Sequence, residues 1–163
     1  MSADERNEPL DAERIFAALG AHDVDYVVIG GLAVQTHGHT RMTNDVDLIP
    51  EPDRANLGRL AAALRSVGGA VLNAGHESLE ISASMLPRAT IWQITTRHGD
   101  IDVLHDAPGA GSYEQLRQRA LVIELGALRV QVAGRDDLIR MKLARGRARD
   151  LADVAALTDP AAE

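Results

Sequence analysis

The chain has 163 residues, 45% of them hydrophobic, which suits one compact domain with a real core and excludes a disordered tail. It has no cysteine, so disulfides and thiolate metal sites are excluded. The net charge of −7 argues against a general nucleic-acid coat protein. No apolar run approaches the ~18–20 residues of a membrane span, and the acidic opening "MSADERNEPLDAER" is unlike a signal peptide, so the cytoplasm is the expected location.

Taken in chain order, residues 10–21 have helical spacing, with Leu10, Ile15, Phe16 and Leu19 on one face. "VDYVVIGG" reads as a short apolar strand ended by two glycines, "LAVQTHG" as a short helix, and "DVDLIP" as a second strand closed by Pro50. "DRANLGRLAAALRSVG" is a helix with Leu57, Leu60, Ala61 and Leu64 on its apolar face and Asp53 as its cap. Residues 70–87 fit a strand and a loop without a clear pattern. "ATIWQITT" and "GDIDVLHD" form a hairpin around "RHG", with Trp92 in the core, and "SYEQLRQRA" is a helix capped by Ser112. "LVIELGALRVQVA" is a second hairpin turning near Gly126. Two helices parted around Gly146 close the chain. The order α-β-α-β-α-β-β-α-β-β-α-α implies an α/β (α+β) fold, a mixed sheet with helices packed on it and a helical C-terminal segment.

Chemistry concentrates in "TRMTNDVDLI". In an extended backbone Asp45 and Asp47 share one face, and two adjacent carboxylates repel unless a cation or a proton joins them. Asp102, between Ile101 and Val103, has the same apolar-acid-apolar setting. If its strand lies beside that of Asp45 and Asp47, three carboxylates converge. An oxygen-only set of this kind suits a hard divalent ion, Mg²⁺ or Mn²⁺. Asp45 alone would read as a turn cap; the company of Asp47 and Asp102 is what favours metal. Asp100 follows Gly99 and reads as a turn residue. Gly30 and Gly31, between a strand and a helix, let bare backbone approach a phosphate, although neither a P-loop nor a G-x-G-x-x-G is present.

Basic residues are few early and crowded late: positions 135–149 carry six of them. Lys142 is the single lysine among 17 basic residues, and a compact ammonium meets a phosphate differently from a guanidinium. Arg140, Arg145, Arg147 and Arg149 read as a solvated face that also attracts polyanions. His37 and His39 lack a third nitrogen or thiolate ligand nearby, so zinc is disfavoured. They read as loop residues over the phosphates or in solvent.

An apolar-Gly-Gly turn, thirteen residues, Asp-x-Asp on a strand and a distant apolar-Asp-apolar resemble the nucleotidyltransferase superfamily of the DNA polymerase β type. The stretches "VIGGLAVQTHGHTRMTNDVDLI", "GDIDVLHD" and "RDDLIRMKLARGRARDLADVAAL" are most similar to the AbiEii/MenT-like toxins of type IV toxin–antitoxin systems. The resemblance implies one nucleotidyltransferase domain over 1–163, with 1–9 flexible. It implies Asp45, Asp47 and Asp102 as metal ligands, with Asp102 activating the acceptor hydroxyl. Gly30, Gly31, Arg41, Thr43 and Lys142 would bind the NTP, and Asp150 and Asp153 would belong to the closing motif. Gly31 stands where many members carry serine. The expected activity is transfer of a nucleoside monophosphate to an acceptor hydroxyl, such as the tRNA 3′ end, with a cognate antitoxin as partner. Rival expectations are acceptors of protein or small-molecule type, a non-catalytic antitoxin-like module, and a phosphohydrolase.

Overall fold

The computed structural model describes residues 9–39 and 42–159, so the expectation for 1–9 falls almost wholly outside the described residues. Within them the chain runs α1 (Ala12–Ala21), β1 (Tyr26–Ile29), α2 (Gly30–Thr36), β2 (Asp45–Pro50), α3 (Arg54–Ser66), β3 (Ala70–Val71), β4 (Ile91–Thr96), β5 (Gly99–Leu104), α4 (Tyr113–Arg119), β6 (Leu121–Leu125), β7 (Leu128–Val132), α5 (Arg135–Arg145) and α6 (Ala148–Thr158). All seven strands join one mixed sheet in the order β3-β4-β5-β2-β1-β7-β6. Residues 70–87, unreadable in sequence, supply the two-residue edge strand β3 and a run of turns, followed by a 3₁₀ turn at Leu86–Arg88.

Local chemistry explains the boundaries. Asp53 accepts the Asn56 N–H to start α3, and Ser112 and Gln115 form a reciprocal capping box at α4. Gly146, at φ +66°, ends α5 in the left-handed conformation that a glycine enters without steric cost. The buried Asn56 does more than extend a helix. Its carbonyl accepts the Asp25 N–H and its amide donates to the carbonyls of Asp25 and Glu51, each at 2.8 Å. That side chain ties α3 to the outer ends of β1 and β2.

The core follows from strand alternation. In β5, Gly99, Ile101 and Val103 are buried while Asp100, Asp102 and Leu104 face the other way, half-buried. Trp92 and Ile94 are buried from β4, and the Trp92 indole N–H donates to the Leu86 carbonyl. Phe16 of α1 stacks on Tyr26 of β1 with ring centroids 6.3 Å apart. Asp100 departs from its expected turn. The turn closes at Thr96 opposite Gly99, which leaves Asp100 inside the strand, opposite Thr95 and beside Asp45. No helix among the described residues is long and apolar enough to cross a membrane.

Candidate active site

Two strands meet in parallel to build the centre of the site. β2 pairs with β5 so that Asp47 lies directly beside Asp102 and Asp45 beside Asp100. One carboxylate oxygen from each of Asp45, Asp47 and Asp102 lies within 4.8 Å of the other two. Burial first, then the charges of Asp45 and Asp102, push the Asp47 carboxyl up to about 8. Burial, then Asp45, pushes Asp102 up to about 6. Asp47 and Asp102, side by side, thus both hold a proton more readily than an ordinary carboxyl, and a cation between them would relieve the same repulsion. Arg145 offsets only part of that charge. The donor set fits a hard divalent ion: three carboxylates, oxygen only, converging and undercompensated.

The glycine turn enters from the next strand. β1 runs antiparallel to β2 with Ile29 opposite Asp47, so Gly30 abuts the Asp47 side chain. Gly30 has φ +73°, and a Cβ there would collide with the Asp47 carboxylate, standing only 2.9 Å from its Cγ. The glycine is thus required by the acid beside it. Gly30 and Gly31 form the first turn of α2 rather than a loop before it.

Asp45, Asp47, Asp102, Gly30, Gly31, Thr43 and Lys142 all line one open cavity of about 470 Å³. Thr43 donates its hydroxyl to the Asp45 carbonyl at 3.2 Å. Arg41 lies outside the described residues. Lys142 is not a surface residue: it is 5% exposed, and its ammonium lies 3.1 Å from Asp153 and 3.5 Å from Asp150, both fully buried on α6. The two acids of the closing sequence motif are therefore the partners of the single lysine.

The late arginines are exposed, as expected, and three of them also border the site. Arg145, Arg147 and Arg149 line the cavity. Asp150 accepts from both the backbone N–H and the Nε of Arg147, at 3.2 and 2.9 Å, and lies 3.9 Å from Arg145. Burial would raise the Asp150 carboxyl, but these hydrogen bonds from Arg147 outweigh it and hold it below its ordinary value. Arg149 has no carboxylate partner among the described residues and borders both the main cavity and a smaller one beside Asp45. Arg140 points elsewhere, 2.7 Å from the buried Asp137, which also takes a forked pair from Arg119. Sequence reading also left Gln93, Ile91 and Leu104 out of the site. Their alternation with Trp92, Ile94 and Val103 was the available signal. His37 Nε2 lies 3.0 Å from the Ala133 carbonyl, and His39 lies 3.7 Å from Asp153.

A family model described as "Nucleotidyltransferase of unknown function (DUF6036)" matches residues 11–158. Among solved structures, the lincosamide antibiotic adenylyltransferase LnuA, lincomycin-bound, has a TM-score of 0.63 at 13% identity, over 93% of this chain and 99% of that one. The antibiotic-resistance factor ANT(2'')-Ia has 0.57 at 17% identity, over 88% and 78%. A putative nucleotidyltransferase of Thermotoga maritima, TM1012, has 0.57 at 14%, over 88% of each chain. At these identities the likeness establishes the fold, a nucleotidyltransferase fold as the motifs implied. No curated protein matches the sequence. The narrower likeness to AbiEii/MenT-like toxins has no counterpart among these matches.

Proposed function

The chain belongs to the nucleotidyltransferase family whose model it matches, and on that premise we propose that it moves a nucleoside monophosphate from an NTP to an acceptor hydroxyl. The observation that carries the reading is the convergence of Asp45, Asp47 and Asp102 in one cavity with a glycine turn and three arginines. Asp45, Asp47 and Asp102 would hold the divalent metal, which when bound supplies the positive charge that offsets the phosphate oxygens.

The remaining roles belong to the chain itself. Backbone N–H groups of the Gly30–Gly31 turn, with Thr43, face the phosphates. Arg145, Arg147 and Arg149 receive the triphosphate's charge, and Lys142, with two of its three N–H groups directed at Asp150 and Asp153, keeps one for phosphate. Asp102 takes the proton of the acceptor hydroxyl. The new bond forms between the acceptor oxygen and the α-phosphorus. The bond from that phosphorus to the bridging oxygen breaks, and pyrophosphate leaves toward the arginines.

The acceptor follows from two likenesses that point apart. The toxin-like motifs suggest the 3′ end of tRNA, with a cognate antitoxin as regulator. LnuA and ANT(2'')-Ia, the latter known with adenylyl-2"-tobramycin, suggest a small hydroxylated molecule. Purified protein incubated with each labelled NTP, Mg²⁺ and, in turn, total RNA, cell extract and small polyols would decide. Label should enter one acceptor class and fall by roughly a hundredfold or more in Asp102→Asn. Absence of both transfer and Mg²⁺-dependent NTP binding would remove the reading.

A further inference from the structure

One part of the cavity has no role in the step above: the open face of β4 and β5. Gln93 stands directly opposite Asp102, and Ile91 directly opposite Leu104. All four line the cavity. The Gln93 side chain makes no hydrogen bond among the described residues, although its backbone N–H donates to Asn73. Ile91 is 37% exposed, where its strand neighbours Trp92 and Ile94 are buried. An unengaged amide beside an acid, with an apolar pair next to both, is an unused recognition surface.

Its location gives it a direction. In the sheet order β4-β5-β2-β1, the triad on β2 and β5 separates this patch from the glycine turn that follows β1. In phosphoryl transfer the attacking and leaving oxygens lie roughly in line. With pyrophosphate leaving toward Gly30 and the arginines, the attacking group enters over β4 and β5.

We propose that this patch is the acceptor subsite and that it takes a sugar ring with vicinal hydroxyls; the inference rests on the nucleotidyl-transfer reading. The attacking hydroxyl faces Asp102 and its neighbour faces the Gln93 amide, which can donate or accept. Directly opposed strand residues have Cβ atoms about 4.5–5.5 Å apart, a spacing two hydroxyls on adjacent carbons can bridge. The apolar face of the ring lies on Ile91 and Leu104. A terminal ribose of RNA and a free glycoside share this chemistry.

The test uses the full chain with Mg²⁺ and labelled NTP. The probes are a ribo-oligonucleotide ending in a 2′,3′-diol, its two monodeoxy versions, and methyl ribofuranoside. A diol probe should be labelled at least tenfold faster than whichever monodeoxy version still reacts. Gln93→Ala and the near-isosteric Gln93→Met should raise the acceptor KM about tenfold, leave the NTP KM unchanged and erase the diol preference. Labelling of the oligonucleotide alone assigns the polymer end, and labelling of the glycoside assigns the small molecule. Equal rates for diol and monodeoxy probes, or a Gln93 effect on the NTP KM instead, would overturn the subsite. Calorimetric NTP binding without labelling of any diol probe would overturn it too, while leaving nucleotidyl transfer intact. Loss of NTP binding itself would remove both.

Discussion

Gly30 and Lys142 show how single residues are constrained by their neighbours. At Gly30 the backbone lies at φ +73° and the Asp47 carboxylate occupies the space of a Cβ. Gly30→Ala should therefore displace Asp47, weakening Mg²⁺ binding and transfer together, with a backbone cost of roughly 1–2 kcal/mol. Metal titration followed by calorimetry would check this, and unchanged metal affinity would refute it. Lys142 bridges two buried carboxylates. Lys142→Ala should cost roughly 3 kcal/mol of stability by leaving buried charge uncompensated, and should weaken NTP binding as well. Lys142→Arg should be impaired too, because a planar fork cannot replace a compact ammonium between two acids. Thermal melts combined with NTP titrations separate the effects. A normal melt with lost NTP binding would make Lys142 a phosphate ligand alone.

Between elements, stability is concentrated in a few buried polar links. Asp137, on α5, accepts from Arg119 at the end of α4 and from Arg140 one turn further along α5. Burial would raise its carboxyl, but the two arginines outweigh that and hold it below its ordinary value. Asp137→Ala should lower the melting temperature by roughly 5–10 °C and leave turnover per folded molecule unchanged, since the Asp137 side chain is bound to Arg119 and Arg140 and is not part of the cavity lining. A melt indistinguishable from wild type would show that the link carries no net stability. These links were the part of the fold that sequence did not reveal. Helices and hairpins were legible because apolar period and caps such as Asp53, Ser112 and Gly146 are local signals. The acid triad was legible because Asp47 and Asp102 share a local pattern. Lys142–Asp153, Arg119–Asp137 and Gln93–Asp102 join residues through packing or strand register, and nothing in the local pattern announces them. The late arginines are exposed, as their spacing suggests; that Arg145, Arg147 and Arg149 also line the cavity depends on tertiary packing, which that spacing does not carry.

For the molecule as a whole, the triad makes stability depend on pH and metal in opposition to the rest of the charge. Asp47 and Asp102 have folded values of about 8 and about 6, above the ordinary carboxylate range. Between roughly pH 4 and pH 8 these two groups therefore hold more protons in the metal-free folded chain than in the unfolded one, so they make stability fall as pH rises. Asp137 and Asp150 are held below their ordinary value and act the other way. Their contribution is present above the unfolded value and is lost as pH drops through the folded one. Half-buried His105, lowered chiefly by desolvation, likewise favours the higher pH near its ordinary titration. Comparing wild type with Asp47→Asn cancels Asp137, Asp150 and His105 and leaves the triad. In chelator, the wild type should lose melting temperature relative to Asp47→Asn as pH rises from about 5 to about 9, and Asp47→Asn should be the more stable protein at the alkaline end. Saturating Mg²⁺ should raise the wild type and flatten its pH dependence, because a bound cation favours the ionised carboxylates of Asp47 and Asp102. It should do much less for Asp47→Asn, which should also lack transfer. If Asp47→Asn melts well below wild type at every pH, with and without Mg²⁺, the carboxylate of Asp47 is a structural group and the metal site falls with it.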